Sequence, residues 1–218
     1  MKKVIIGILA TSNYMVTNDT FQDTYRYGNN YIKRIVENGG IPLLIPYVDE
    51  DIIEESLEMC DGLLLPGGSR IRPVDFRVLD YFYKHNKPVL GICMGMQTIA
   101  MYSLKNKIIL KQVDNHWPVN VYRDNQEILV HDDLISKNSK LYKIFNNEKI
   151  RVNSLHHNAI TEVGEDFDIS IRSDDNLIEG IEYKGEDKFV VGVQFHPEIL
   201  PQFNNLFKVF IEECQKRK

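Results

Sequence analysis

The seven-residue segment Gly91–Gln97 constrains the fold of this chain more than any other part of its sequence. It reads Gly-Ile-Cys-Met-Gly-Met-Gln and directly follows the apolar run Pro88–Leu90, and a helix-compatible stretch continues to Ser103. A buried strand that turns sharply into a helix is the layout of a nucleophile elbow, which exposes one reactive side chain above a sheet. The unpaired N–H groups at the start of such a helix favour an anion. The pattern therefore predicts an α/β sheet with Cys93 as a candidate nucleophile.

The composition is that of an ordinary globular protein, and we expect residues 1–218 to form a single domain. Hydrophobic residues make up 43% of the chain and charged residues 26%, which argues against a disordered or membrane-spanning protein. The net charge of −5 argues against a nucleic-acid partner. Three cysteines at irregular spacing suggest neither a disulfide framework nor a zinc motif, so we expect a reducing, cytoplasmic location. The apolar run Val4–Ala10 is interpreted as a buried strand rather than a signal peptide, because no cleavage site follows it, and no stretch is long enough to span a membrane.

Short apolar runs alternate with longer amphipathic stretches through the first half of the chain. Such alternation is typical of a parallel sheet that helices cover on both faces, with ligands at the carboxyl ends of the strands. The predicted strands are Val4–Leu9, Pro42–Ile45, Gly62–Leu65 and Val89–Ile92, and the predicted helices are Tyr25–Asn38, Asp51–Met59, Val74–His85 and Met96–Ser103.

Strand patterns predominate in the second half of the chain, between residues 107 and 195. Polar turn signals such as Ser173–Asn176 separate the later ones, and the chain closes with a predicted helix, Phe203–Gln215. The acidic pairs at 132–133 and 174–175 are interpreted as turn or loop charges rather than metal ligands. The predicted strands are Ile108–Val113, Glu127–Val130, Phe167–Arg172, Ile178–Tyr183 and Phe189–Gln194.

A histidine and a glutamate that could serve the cysteine lie near the end of the chain. His196 follows the apolar run Gly192–Phe195, and Pro197 forces a turn that lets Glu198 reach back to the imidazole. Hydrolysis by a cysteine requires a base that also protonates the leaving amine, and a group that orients this base. A surface turn is the alternative for the His-Pro-Glu sequence alone, and pairing with the Cys93 elbow favours a catalytic role.

Two adjacent glycines, Gly67 and Gly68, follow the predicted strand Gly62–Leu65. Their backbone N–H groups, together with that of Met94, could stabilise a developing oxyanion. The alternative is a flexible turn, but the position at a carboxyl strand end favours the functional interpretation.

These three motifs together resemble the class I glutamine amidotransferase family. The segments Val152–His157 and Ile178–Glu182, and the opening of the chain through residues 38–44, resemble its γ-glutamyl-γ-aminobutyrate hydrolase branch, the peptidase C26 group. The resemblance covers essentially the whole chain. It implies a flavodoxin-like, doubly wound, mostly parallel sheet with a strand-rich second half.

The resemblance also implies a role for each site residue. Cys93 would be the nucleophile, His196 the base and Glu198 its orienting partner, and no cofactor or metal would be required. The N–H groups of Gly68 and Met94 would form the oxyanion hole. The implied substrate-binding residues are Gly67, Gln97, Asn153, Ser154 and His157.

The chain departs from the branch around the site for the leaving group. The segment between Gly68 and Cys93 is short and lacks the Pro-x-x-Tyr-Gly element of the branch. Met94 stands where the branch commonly has arginine, residues 103–107 replace a Gly-Gly-Thr-Leu segment, and Asn158 replaces glutamine. The identity of the leaving amine therefore stays open.

Three functions remain as hypotheses. The first is hydrolysis of γ-glutamyl amides, such as γ-glutamyl-γ-aminobutyrate, through a thioester that releases glutamate. The second is a glutaminase subunit that delivers ammonia to a separate synthetase partner. The third, a non-catalytic binding protein, is disfavoured because Cys93, His196 and Glu198 are all present. A small-molecule γ-glutamyl substrate is expected without a membrane or nucleic-acid partner, and a homodimer stays open.

Overall fold

A computed structural model describes residues 2–17, 20–47, 54–117, 125 and 127–218. Its strands are β1 Ile5–Leu9, β2 Thr11–Thr17, β3 Thr20–Arg26, β4 Ile41–Ile45, β5 Gly62–Leu65, β6 Val89–Ile92, β7 Leu110–Gln112, β8 His131–Ile135, β9 Lys149–Val152, β10 Asn158–Ile160, β11 Phe167–Ser173, β12 Ile178–Tyr183 and β13 Val190–Val193. Its α-helices are α1 Asn29–Glu37, α2 Glu54–Glu58, α3 Pro73–Lys84, α4 Met94–Ser103, α5 Lys140–Phe145 and α6 Asn204–Lys216.

Nine of these strands form one sheet in the order β4-β1-β5-β6-β13-β12-β11-β8-β9. The first five strands in this order run parallel, and they include the apolar runs Gly62–Leu65 and Val89–Ile92. From β13 onward the neighbours are antiparallel, which is the strand-rich extension of the second half. β2 pairs with β3, and β7 with β10, outside this sheet.

Helices cover both faces of the sheet because its parallel strands are apolar on both sides. One core layer places Ile35 of α1 and Phe207 of α6 against the sheet. The opposite layer places Phe82 of α3 and Ile99 of α4 against it. The predicted α/β class is therefore confirmed. Within the part of the chain that the structure describes, no helix is long and apolar enough to cross a membrane.

Several predicted boundaries are wrong. The helix predicted over Tyr25–Asn38 begins only at Asn29, because residues up to Arg26 belong to β3. The strand predicted over Glu127–Val130 instead begins at His131 and is β8. The buried positions of β8 include His131 and Asp133. Because these residues are polar, an apolar sequence pattern does not indicate the strand.

Other boundaries shift by smaller amounts. The helix predicted from Met96 begins at Met94, directly after Cys93, and the strand predicted over Ile108–Val113 shortens to β7. The first three residues of the helix predicted over Asp51–Met59 lie outside the described residues, and its remainder is α2, which ends one residue earlier, at Glu58.

Candidate active site

The sharp turn at Cys93 joins β6 to α4 with no intervening loop. Cys93 has φ 52° and ψ −109°, in the positive-φ region that a side chain occupies only under strain. Its N–H donates to the Val193 carbonyl over 2.8 Å, and its carbonyl accepts from Gln97 N–H over 3.1 Å. These bonds to strand and helix hold the strained residue, and the side chain stands at the carboxyl end of the parallel strands.

The glycines on either side of Cys93 are required by close packing. A Cβ on Gly91 would lie 2.6 Å from Ile99 Cδ1 and 2.7 Å from the Gly95 carbonyl oxygen. A Cβ on Gly95 would overlap the Leu65 carbonyl oxygen. The turn can therefore bring β6, α4 and β5 together only because both positions lack a side chain.

His196 and Glu198 lie beside this cysteine. The His196 Nδ1 atom is 2.6 Å from Glu198 Oε1, and both side chains are buried. A Cβ on Gly67 would lie 2.8 Å from His196 Cε1 and 3.5 Å from Cys93 Cβ, so imidazole and cysteine lie side by side above that glycine. Among the described residues, Nε2 of His196 has no hydrogen-bond partner and is available to a reacting group.

The negative charge of Glu198 raises the pKa of the His196 imidazole. Burial acts to lower the pKa of His196, but Glu198 and, to a smaller extent, Cys93 outweigh burial and hold this pKa well above its usual value. The arrangement therefore favours a protonated imidazole that can donate a proton to a leaving amine.

The loop that carries this pair is fixed from two sides. The Asn153 side chain accepts from His196 N–H over 2.8 Å and donates to the His196 carbonyl over 3.1 Å. Nε of Arg34, on α1, donates to the Glu198 carbonyl over 3.1 Å. The family resemblance implies that Asn153 binds substrate, and nothing in the sequence indicates a role for Arg34. In the structure both hold the backbone of the loop that carries His196 and Glu198.

Tyr31 of α1 links the Gly67–Gly68 turn to the His196–Glu198 pair. Its hydroxyl accepts from Gly67 N–H over 3.0 Å. Burial and the negative charge of Glu198 raise the pKa of Tyr31 well above its usual value, so it stays a neutral phenol. The sequence pattern places Tyr31 only within a predicted helix, because nothing local indicates its distant partners. With the Gly67 N–H occupied in this way, Gly68 is the better candidate oxyanion donor.

We expect the Tyr31→Phe variant to lower kcat/KM by ~10- to 100-fold, because it leaves the half-buried Gly67 N–H without its acceptor and releases the turn beside Cys93. Steady-state kinetics on a γ-glutamyl amide would measure this change. Tyr102→Phe is a matched control, since the Tyr102 hydroxyl donates to Asp80 over 2.8 Å on α3, outside the site. Equal rates for Tyr31→Phe and wild type would contradict the positioning role.

A cavity of about 560 Å³ contains the candidate nucleophile and base. Both predicted oxyanion residues, Gly68 and Met94, line it, and Met94 is the first residue of α4, where an N–H has no acceptor within the helix. The remaining lining residues extend the cavity past the cysteine: Ser69, Arg70, Ile71, Gln97, Met101, Ile108, Leu110, Trp117, Leu155, His156, His157, Asn158.

The predicted substrate-binding residues divide into two groups. Gln97 and His157 line the cavity, but the Gln97 amide nitrogen already donates to the Asn158 carbonyl over 2.9 Å and to Gln194 over 3.1 Å. Gln97 therefore offers a substrate chiefly its carbonyl oxygen. Asn153 and Ser154 are fully buried, and Ser154 bonds to His116. Substrate contact by all of these residues, Gly67 included, stays a prediction.

Comparison with known proteins shows that the chain is similar to glutamine amidotransferase-like proteins. A glutamine amidotransferase-like protein of Rickettsia prowazekii is 28% identical, over 91% of this chain and 92% of its own length. A subunit of the glutamine-hydrolysing GMP synthase of Picrophilus torridus is 29% identical, over 78% of this chain and 82% of its own length. The crystal structure of a GMP synthase subunit from Thermoplasma acidophilum shares the fold, with a TM-score of 0.72 at 20% identity over 99% of this chain and 96% of that one.

The match to a family model covers most of the chain. The model for Peptidase C26 matches residues 4–80 and 74–198, a span that includes Cys93, His196 and Glu198. The protein belongs to the Peptidase C26 family, within the class I glutamine amidotransferase-like proteins.

Proposed function

We propose that this protein hydrolyses γ-glutamyl amides whose leaving group is an amine larger than ammonia, with γ-glutamyl-γ-aminobutyrate as the type of substrate. The family and its glutaminase relatives support a γ-glutamyl amide hydrolase at the coarse level. The single observation that carries the finer proposal is the cavity, which extends well past Cys93 and His196 toward an apolar wall.

The reaction would proceed through a thioester. With the thiol proton of Cys93 already on the His196 imidazole, Sγ attacks the γ-carbonyl carbon, and the N–H groups of Gly68 and Met94 stabilise the oxyanion. The imidazolium then passes its proton to the departing amine as the C–N bond breaks. Water next attacks the thioester with His196 as base, which releases glutamate and returns the proton to the thiolate. Glu198 stabilises the imidazolium in both halves.

The apolar residues that line the cavity beyond Cys93 favour a leaving amine with an apolar body. Trp117 stacks on His157 with ring centroids 4.6 Å apart and planes inclined by 15°, and Leu110 and Met101 add aliphatic surface. Arg70, exposed at this wall, supplies a guanidinium that suits the carboxylate of γ-aminobutyrate.

The glutaminase alternative has its own support. The Picrophilus relative is a synthase subunit, and Ile108 and Trp117, which line the cavity, are 80% and 40% exposed. An exposed apolar rim of this kind suits a protein partner that covers the cavity and receives ammonia.

Glutamate release by the purified chain alone would distinguish the two. We expect kcat/KM for a γ-glutamyl conjugate to exceed that for glutamine by ~10-fold or more, because added apolar contacts in a pocket give differences of that size. The conjugates to compare are those of γ-aminobutyrate, a polyamine and ethanolamine. A preference for glutamine, or activity that appears only with a synthetase, would favour the alternative.

Arg70→Met tests the carboxylate contact. We expect it to lower kcat/KM for the γ-aminobutyrate conjugate by ~10-fold or more while sparing the ethanolamine conjugate, which carries no carboxylate. Arg77→Met, on the exposed surface of α3, is the matched control. Equal losses on both conjugates would remove the assignment of Arg70.

A further inference from the structure

Three histidines and one glutamate meet in the interior next to the active-site cavity. They are His116, His131 at the start of β8, His156 between β9 and β10, and Glu179 of β12, and we call them the histidine cluster. All four are buried, with exposed fractions of 4%, 7%, 3% and 0%. One candidate ligand atom from each lies within 4.8 Å of the other three. Four distant parts of the chain therefore direct metal-binding side chains to one point.

Each imidazole of the cluster is oriented by an oxygen acceptor. The Nδ1 atom of His131 is 2.8 Å from Asp133 Oδ1, and that of His156 is 3.0 Å from the Asn158 carbonyl. Nε2 of His116 is 3.1 Å from Asp175 Oδ2. A ring N–H that is held by carboxylate or carbonyl leaves a lone pair on the other nitrogen, which is the usual outer-shell arrangement around metal-bound histidine.

The atoms on the inner side of the cluster lack partners. Within the described parts of the chain, Nε2 of His131, Nε2 of His156 and both carboxylate oxygens of Glu179 are buried without a hydrogen bond. Buried polar groups are rarely left unpaired, so several around one point indicate a missing ligand. Nδ1 of His116 lies 2.9 Å from Ser154 Oγ, but the single hydroxyl proton of Ser154 is donated to the His116 carbonyl, so the serine does not occupy the Nδ1 lone pair.

The spacing of these atoms suits a small divalent ion. Nε2 of His156 and Oε1 of Glu179 are 3.5 Å apart. Two ligands of a tetrahedral zinc ion at ~2.0–2.1 Å from the metal would be ~3.4 Å apart. The other pairs of candidate ligand atoms, which lie up to 4.8 Å apart, would come closer by rotation of their side chains.

Charge favours a cation at the same point. Glu179 and Asp133 are both fully buried, and Asp175 adds a further carboxylate behind His116. A divalent cation at this point would stabilise the ionised form of these carboxyl groups, which burial otherwise penalises.

We propose that the histidine cluster binds one divalent transition-metal ion, with zinc favoured, through three ring nitrogens and a Glu179 oxygen. Imidazole nitrogens suit zinc better than magnesium or calcium, which prefer all-oxygen sites. Four protein ligands fill a tetrahedral shell, so the ion is structural and takes no part in the reaction. It fixes the segment between β9 and β10, which carries Asn153 behind the catalytic loop and His157 in the cavity wall. The proposal does not depend on the proposed substrate or reaction.

Metal titration of the full-length protein tests the site. After chelator treatment, we expect the protein to bind one Zn²⁺ per chain by elemental analysis and to rise in melting temperature when Zn²⁺ is restored. Co²⁺ in place of Zn²⁺ should give the visible d–d bands of tetrahedral coordination. Less than stoichiometric binding, octahedral bands or an unchanged melting temperature would overturn the proposal.

Variants locate the bound ion. Glu179→Gln and His131→Ala should lose the Co²⁺ bands, whereas Cys93→Ser should retain them, which excludes adventitious binding at the reactive thiol. His85→Ala, which changes an exposed histidine on another face, is the matched control. Bands that persist in His131→Ala, or disappear in Cys93→Ser, would place the ion elsewhere.

Asp175→Asn covers the case in which the interior variants fail to fold. The Asp175 side chain is 53% exposed, so its replacement should leave the fold intact. Because Asp175 is the outer-shell partner of His116, the Asp175→Asn variant should bind Co²⁺ ~10- to 100-fold more weakly than wild type. Unchanged affinity would remove His116 from the ligand set.

Discussion

Cys93→Ala should abolish glutamate release from γ-glutamyl amides, with kcat falling by ~10⁴-fold or more, because no other group can form the thioester. The melting temperature should change little, since the substitution only removes a sulfur from the cavity wall. A stopped glutamate assay on the purified protein, with a lower limit set by a no-enzyme blank, would measure the loss. Residual activity within tenfold of wild type would end the proposal that Cys93 is the nucleophile.

Cys60→Ala is the matched control for this result. Cys60 is buried against α2, its thiol donates to the Ser56 carbonyl over 3.3 Å, and burial raises its pKa to about 11. It is thus a neutral, inaccessible thiol at neutral pH. An iodoacetamide-type label should modify Cys93 and spare Cys60, and loss of activity should follow the labelling of Cys93.

Glu198→Gln should lower kcat/KM by ~10²- to 10⁴-fold, because the imidazolium loses the carboxylate that orients and stabilises it. Since Glu198 raises the pKa of His196, the variant pKa falls, and the pH above which the rate declines should move to lower pH. A kcat/KM profile across pH for both proteins would measure the shift. If kcat/KM of the variant declined at the same high pH as that of wild type, the proposal that Glu198 raises the pKa of His196 would be contradicted.

The same pair predicts a stability effect with a defined sign. The folded-state pKa of His196 is above that of the unfolded chain, so protonation of His196 stabilises the fold fully below ~pH 6.5 and progressively less as pH rises through the folded pKa. Denaturant unfolding across this window should show a weaker pH dependence in Glu198→Gln. Glu162→Gln, which changes an exposed carboxylate paired with Lys107, should resemble wild type.

The sequence predicted the centre of the molecule well because its signals are local there. β5, β6 and β12 match their predicted bounds. β5 and β6 are short apolar runs, and β12 lies between the polar turn signals that end at Asn176 and begin at Lys184. The order of the motifs also predicts that Cys93, His196 and Glu198 lie close together, and in the structure they do. The catalytic roles of these residues stay predictions that the variants above test.

What the sequence left hidden depends on contacts between distant residues. Tyr31 and Arg34 stand on an ordinary amphipathic helix, and only the fold brings them to Gly67 and Glu198. The ligands of the histidine cluster are widely separated along the chain and match no short metal motif. The β2–β3 hairpin was missed because its polar residues alternate without an apolar face typical of a core strand.

The edges of the large sheet bear on how this protein behaves at high concentration. Edge strand β4 carries Pro42, which has no N–H to donate, and the opposite edge β9 carries the exposed charges of Lys149 and Arg151. Proline and charged side chains at sheet edges discourage the addition of a strand from another molecule. A homodimer of this chain would therefore not form by strand addition at either edge of the nine-stranded sheet, and these two edges are protected against strand-mediated aggregation.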